Sequence, residues 1–381
     1  MERDTAQYPD FAFNMRELAG SMGDFGTLFP LAVGLIAVCR MDPTALFVMI
    51  GLTNIATGLI YRLPMPVEPK KVISVAAIAQ GWPAALVTAS GLGLGLLWFL
   101  LVITGLVSKL VKKIPTYLIR GIQLALGISL GIRAVQMMLP ELWLGALAIA
   151  IILLLRENRY APAAVVIMVL GIVVMVFRGN LAQVLDLGIG WPRFSIPAWS
   201  DVWQAMVGAG FAQVPLTITN AVLATATMIR DLFPEKPVSE RKLLLNMGVM
   251  NVASSFFGGM PMCHGSGGLA GQYYFGARTG GANILEGLIE LTLGIFLGRA
   301  LLSILTAFPM PLIGGMMFMV GVQLARVVIE LRRWPLYLAL LTAGVSVAFN
   351  MAVGFAAGLL GAYAVRWLIR RGTIEGNLEE V

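Results

Sequence analysis

Four short stretches hold most of the side chains that could do chemistry in a chain otherwise built from apolar residues. They are GDFGTLFP at 23–30, PMPVEPKK at 64–71, GAGFAQVPLTITN at 208–220 and PMCHGSGGLAGQYYFGARTG at 261–280. Their residue types suit holding an anion rather than breaking a bond. Gly265, Gly267 and Gly268 let a backbone come close to a ligand, and Ser266 offers a hydroxyl donor. Lys70, Lys71 and Arg278 are cations that could balance its charge. Glu68 is the odd member, because an acid inside an apolar segment is costly and usually functional. Beside an anion it must be paired or protonated, which leaves two readings: a proton-coupling group whose proton travels with the anion, or a static partner of Lys70 or Lys71. Lys71, three residues on, is well spaced for that pairing, and Arg278 has its own alternative as an anchor at the membrane surface.

Catalysis finds little support. The single histidine, His264, and one of the two cysteines, Cys263, are neighbours without the acid partner or further ligands that a nucleophile or metal site requires. His264 is then a structural or anion-contacting hydrogen-bond donor, and no catalytic residue, metal or cofactor is expected. Asp24, Thr27, Gln213, Thr217 and Asn220 flank Pro30 or Pro215, where irregular backbone could line a cavity. The threonines have the plainer alternative of bonding a neighbouring helix.

The elements that must position these residues are set by composition. Of 381 residues, 58% are hydrophobic and 12% charged, with a mean hydropathy of +0.85. A soluble domain carries about 25% charged residues, so half that share implies an all-α polytopic membrane protein with no soluble domain. Barrel strands would alternate, and these runs do not. The net charge of +7 is dispersed between apolar runs as orientation signals are, which argues against nucleic acid. Twelve apolar runs between 16 and 370, with two Pro- and Gly-rich stretches at 66–80 and 263–276 read as half-helices, give about fourteen transmembrane segments. With both termini cytoplasmic and no cleavable signal peptide expected, 21 of the 27 Lys and Arg fall on the cytoplasmic side, and the asymmetry supports that topology.

An internal repeat underlies the count. NIATGLIYRLPM at 54–65 aligns without gaps on NVASSFFGGMPM at 251–262, and PTYLIRGIQLALGISL at 115–130 aligns on PMPLIGGMMFMVGVQL at 309–324. Gly23 and Pro30 match Gly208 and Pro215 in the same order. Seven segments per half is an odd number, so residues 1–190 and 191–381 are expected to form a 7+7 inverted repeat joined near 178–200. Such folds are characteristic of secondary transporters, with sites at the midplane between discontinuous helices. The two half-helix N-termini would then face each other, each bringing about +0.5 of effective charge.

GDFGTLFP, PMPVEPKK and FGGMPMCHGSGGLAGQYYFGARTG together resemble the molybdate transporter family of plants and microbes, relatives of the SulP sulfate permeases. The resemblance runs from about residue 14 to 370. It implies a core domain and a gate domain, with an oxyanion bound between the half-helices. The chain departs from the family pattern at Glu68, where Gln is usual, and at Lys70, where an apolar residue is usual. SulP permeases usually add a carboxy-terminal domain, whereas this chain ends about ten residues after its last span, which favours the molybdate branch. Expected partners are a small inorganic oxyanion, molybdate or sulfate, then membrane lipids and, left open, a second copy in a homodimer. No phosphate-loop motif appears, so a proton or ion gradient would drive any uphill transport. A nucleobase or bicarbonate as solute, a passive anion channel and a membrane enzyme are the competing readings.

Overall fold

The computed structural model describes residues 8–105, 115–155, 163–178, 188–371 and 373. The basic stretches at 109–113 and 156–159, residues 179–187 of the junction expected near 178–200, and both chain ends lie outside the described residues. Among the described residues the secondary structure is helical apart from a two-stranded ribbon. In order, it runs α1 (Met15–Ser21), a 3₁₀ turn (Met22–Asp24), α2 (Phe25–Ala37), α3 (Pro43–Tyr61), β1 (Glu68–Pro69), α4 (Lys71–Gln80), α5 (Ala84–Thr104), α6 (Thr116–Met138), α7 (Leu142–Leu154) and α8 (Ala163–Phe177). There follow α9 (Trp199–Leu232), α10 (Glu240–Phe256), β2 (Met262–Cys263), α11 (Ser266–Phe275), α12 (Gly281–Ala307), α13 (Met310–Ala325), α14 (Arg333–Ala348) and α15 (Met351–Arg370).

Among the described residues, six helical stretches are long and apolar enough to cross a membrane, and α1 with α2 makes a seventh if taken as one bent span. Large apolar side chains point outward, including Ile103, Leu154 and Phe177, each more than four-fifths exposed. Such surface belongs against lipid, and the protein is a multi-pass integral membrane protein.

Local rules explain the breaks. Asn14 caps α1, accepting from the Arg16 and Glu17 amides at 3.0 Å, and Asp42 caps α3 through the Thr44 amide at 2.9 Å, with Pro43 opening the helix. The stretches read as half-helices are shorter than expected. Pro64, Pro66 and Pro69 fix φ and lack amide donors, so 64–70 forms no helix, Glu68–Pro69 is a strand and helix begins only at Lys71; the second half-helix likewise begins at Ser266, after a strand at Met262–Cys263. In α9, Pro215 sits between two π-helical turns, Met206–Gly210 and Thr217–Ala224. Wide turns accommodate the missing donor, and they occur often at functional sites.

Small residues set the helix spacing. A Cβ on Gly51 would fall 2.8 Å from the Gly287 carbonyl oxygen, and one on Gly58 would fall 2.6 Å from that of Gly280, so α3 and α12 pack backbone to backbone. Gly127 of α6 and Gly321 of α13 meet in the same way. At one end of the bundle Asp10 bridges Arg62 at 2.9 Å and Lys236 at 2.7 Å, which brings the amino-terminal stretch, position 62 and the 233–239 loop to one face.

Candidate functional site

The centre of the molecule is the ribbon. Glu68 pairs with Cys263 and Pro69 with Met262 in antiparallel register, and the Lys70 amide donates to the Pro261 carbonyl at 2.9 Å. Each strand leads directly into a half-helix, so the N-termini of α4 and α11 begin at the crossing. Extended backbone at this depth must have its polar groups satisfied. Two asparagines do this. Asn251 accepts from the Met262 amide at 2.9 Å and donates to its carbonyl at 2.8 Å, while Asn283 accepts from the Met65 amide at 2.8 Å and donates to its carbonyl at 2.6 Å.

A cleft opens where the half-helices meet α9, lined by Glu68, Lys71, Gln213, Leu216, Thr217, Asn220, Ala221 and Cys263. Glu68 is 1% exposed and ion-pairs with Lys71 at 3.3 Å. Its carboxylate rests against the start of α11: a Cβ at Gly265 would fall 2.5 Å from Oε2, and one at Gly268 would collide with Oε1. A Cβ at Gly267, by contrast, would meet open space. Gln213 Oε1 accepts from the Val72 amide at 2.9 Å, engaging the first turn of α4, and its Nε2 donates to Thr217 Oγ1 at 2.9 Å. Ser266 Oγ donates to Asn220 Oδ1 at 2.7 Å, tying α11 to the wide turn of α9.

The electrostatics follow from these positions. Two helix ends supply roughly one positive charge between them, and Lys71 adds one. Ionised Glu68 removes one, leaving about +1. With Glu68 paired to Lys71, the two helix ends keep a net positive charge, which suits an anion.

Of the residues singled out from sequence, Glu68, Lys71, Gln213, Thr217, Asn220, Gly265, Ser266 and Gly268 come together at this place. Gly267 sits among them with open space at its Cβ position, and the remaining residues lie apart from the lining. Lys70 is fully buried with its ammonium 5.2 Å from the centroid of the Trp98 ring, and has no hydrogen-bond partner among the described residues. His264 Nδ1 donates to the Pro66 carbonyl at 3.0 Å and its ring meets Tyr61 edge to face, a structural tie between strand and helix. Arg278 sits past the far end of α11, where it donates to the Tyr273 and Ala277 carbonyls and stacks over Tyr273; its amide donates to Glu17. A ten-residue helix spans about 15 Å, so Arg278 closes the C-terminus of the half-helix. Thr27 is half-buried in the first turn of α2, and Asp24 is buried beside Gln272.

Sequence reasoning missed several polar residues in the core. Asn283, Gln272, Glu286 and Glu290 are all buried within 1% exposure. The signal was present in LEGLIELTLG at 285–294, two acids one turn apart in an apolar run. Trp98, which covers Lys70, carries no such signal.

Fold and site together define a class: a multi-pass helical protein with a polar cleft at the meeting of two discontinuous helices. Solved structures share that fold. The transmembrane domain of a cyanobacterium bicarbonate transporter, BicA, superposes with a TM-score of 0.68, covering 90% of this chain and 97% of that one at 18% identity. Murine Solute Carrier 26 family member A9, an anion transporter in the inward-facing state, gives 0.71 over 96% of this chain and 70% of that one at 14% identity. Residues 16–130 and 205–324 match the family described as molybdate transporter of MFS superfamily, and the chain belongs to that family. It is 32% identical to Molybdate transporter 1 of Arabidopsis thaliana, over 95% of this chain and 90% of the relative. It is 30% identical to Molybdate transporter 1 of Chlamydomonas reinhardtii, over 92% and 91%.

Proposed function

We propose that the protein is a secondary transporter of a tetrahedral oxyanion, molybdate first, which binds in the cleft between the N-termini of α4 and α11 and crosses by alternating access. The observation that carries this reading is the convergence of Lys71, Ser266 and two half-helix N-termini on one cleft. Family membership supports molybdate as the substrate. The rocking unit would be a core domain containing both half-helices, moving against a gate domain, within a fourteen-segment inverted repeat whose halves are 1–190 and 191–381. Two features support the repeat: the antiparallel ribbon joins its two equivalent segments, and Gly127 and Gly321, which occupy matched positions of the aligned stretches, pack on each other. Both termini would be cytoplasmic and the protein would sit in the cell membrane, the inner one if the cell is bacterial, with lipid around the bundle and the oligomeric state left open between a monomer and a homodimer. A proton gradient would drive uphill transport.

The test is uptake of labelled molybdate into proteoliposomes of the purified protein, with tungstate, sulfate, bicarbonate and uracil as competitors. Saturable uptake blocked by tungstate and not by equal sulfate is expected. Uptake of sulfate or bicarbonate without molybdate would overturn the substrate, and a conductance far above carrier turnover would overturn the carrier.

A further inference from the structure

A second polar cluster lies deeper along α11, away from the cleft lining. Asp24, on the 3₁₀ turn before α2, meets Glu286 and Glu290, one turn apart on α12, and each is at most 2% exposed. The carboxyl groups of Asp24 and Glu286 lie within hydrogen-bonding reach of each other. Gln272 of α11 is inserted between them, with Nε2 3.1 Å from Glu286 Oε2 and 3.5 Å from Asp24 Oδ2. Asn54 of α3 donates to Glu290 Oε2 at 2.8 Å and accepts from Asn283.

The cluster is short of donors. Asp24 Oδ1, Glu286 Oε1 and Glu290 Oε1 are buried acceptors without a hydrogen-bond partner, and so is Gln272 Oε1, an amide oxygen on a fully buried side chain. Turning the amide over would only move the deficit to another atom. Among the described residues no Lys or Arg forms an ion pair with any of the three acids. The charged groups from other elements that act on the cluster are Glu68 and Lys71, already paired with each other. Three uncompensated carboxylates in a low-dielectric interior are prohibitive, and adjacent carboxyls do not ionise together. Protons bound to the carboxyls would supply the missing donors. A metal ion would satisfy the oxygens too, but no three acidic, His or Cys side chains among the described residues converge tightly enough to hold one.

The cluster is mechanically joined to the anion cleft. Gly23 and Gly271 pack so closely that a Cβ on either would fall 2.5 Å from backbone of the other segment. The turn bearing Asp24 and the half-helix whose first residues border the cleft therefore shift together. We propose that Asp24, Glu286 and Glu290 form the proton-binding site that couples anion movement to a proton gradient, with Glu68 acting as the static partner of Lys71. The inference rests on the carrier reading.

The test compares wild type, Glu286→Gln, Glu290→Gln and Glu68→Gln in proteoliposomes, measuring molybdate exchange at equal pH and net uptake under an inward proton gradient. In wild type the gradient stimulates uptake by about fivefold or more, the lower end of ordinary coupling factors. The Glu286 and Glu290 variants lose that stimulation while exchange at equal pH remains measurable, and Glu68→Gln keeps it. Retained stimulation in both cluster variants overturns the proposal, as does uptake that follows sodium replacement by choline instead of pH. Wild-type exchange without any response to pH also overturns it and leaves the carrier reading intact, whereas absence of exchange in wild type overturns the carrier. Should a cluster variant fail to fold, proton uptake by wild-type protein in weakly buffered detergent on molybdate addition decides the matter, and no uptake overturns the proposal.

Discussion

The two half-helices begin in the same way and end up with different surroundings. Both follow a proline-enforced strand, and in both an asparagine clamps the preceding methionine peptide. Asn251 clamps Met262 of the segment that follows it, whereas Asn54, aligned with it in sequence, bonds Glu290, and the clamp on Met65 comes from Asn283 of a different helix. The start of α4 is engaged by Gln213 and bordered by Lys71; the start of α11 is glycine, with the Glu68 carboxylate against two of them and open space at the third. The need to satisfy buried backbone is common to both ends, and the residue meeting it is free to change. What an anion can meet is decided by what occupies the helix end.

The comparison can be broken most severely at Lys71. Lys71→Met leaves Glu68 buried without its partner, a loss of about 3–5 kcal/mol, and molybdate affinity in a binding titration should fall by about a hundredfold or more. Lys71→Arg should recover part of it. The clamps come next: Asn251→Ala and Asn283→Ala each strip both bonds from a buried peptide, and about 3 kcal/mol of stability should go in each case, read as matching falls in Tm. Unequal falls would mean that the two ends are not held alike.

Gly268→Ala pushes a methyl into Glu68 and Pro66 and should lose about 2 kcal/mol, lowering Tm, while Gly267→Ala, facing open space, should leave Tm unchanged. The smallest effect lies outside the comparison and calibrates it. The Lys236 ammonium, with Arg62, holds the exposed Asp10 carboxyl below its ordinary value. A lowered carboxyl contributes stability above its unfolded value, lost as pH falls through the folded one. Asp10→Asn should therefore lower Tm slightly at pH 7 and not at all well below pH 4.

Much of this was legible from residue types. Membrane class and the two discontinuous segments follow from apolar runs interrupted by Pro and Gly, and Gln213, Thr217 and Asn220 were found because each lies close to Pro215. The errors have physical sources. The ribbon was read as helix because spacing alone does not show how far three prolines hold a chain extended. Lys70 and Lys71 are adjacent in sequence, yet Lys70 is the last extended residue and Lys71 the first helical one, so their side chains diverge to Trp98 and to Glu68. Arg278 looked close to the glycines in sequence but is a full half-helix away. The acids of α12 were overlooked because a 27-residue apolar helix reads as a span whether or not it carries them.

The wide turns of α9 have a consequence for how this site can vary among sequences. A π turn holds one residue more than an α turn, and each residue turns the helix by about 100°. Deleting a single residue within Thr217–Ala224 would let the segment wind as α-helix and would swing Asn220 off Ser266, or everything beyond it off its packing, with no side chain exchanged. Insertion and deletion, more than substitution, are the changes to which this wall of the cleft is sensitive.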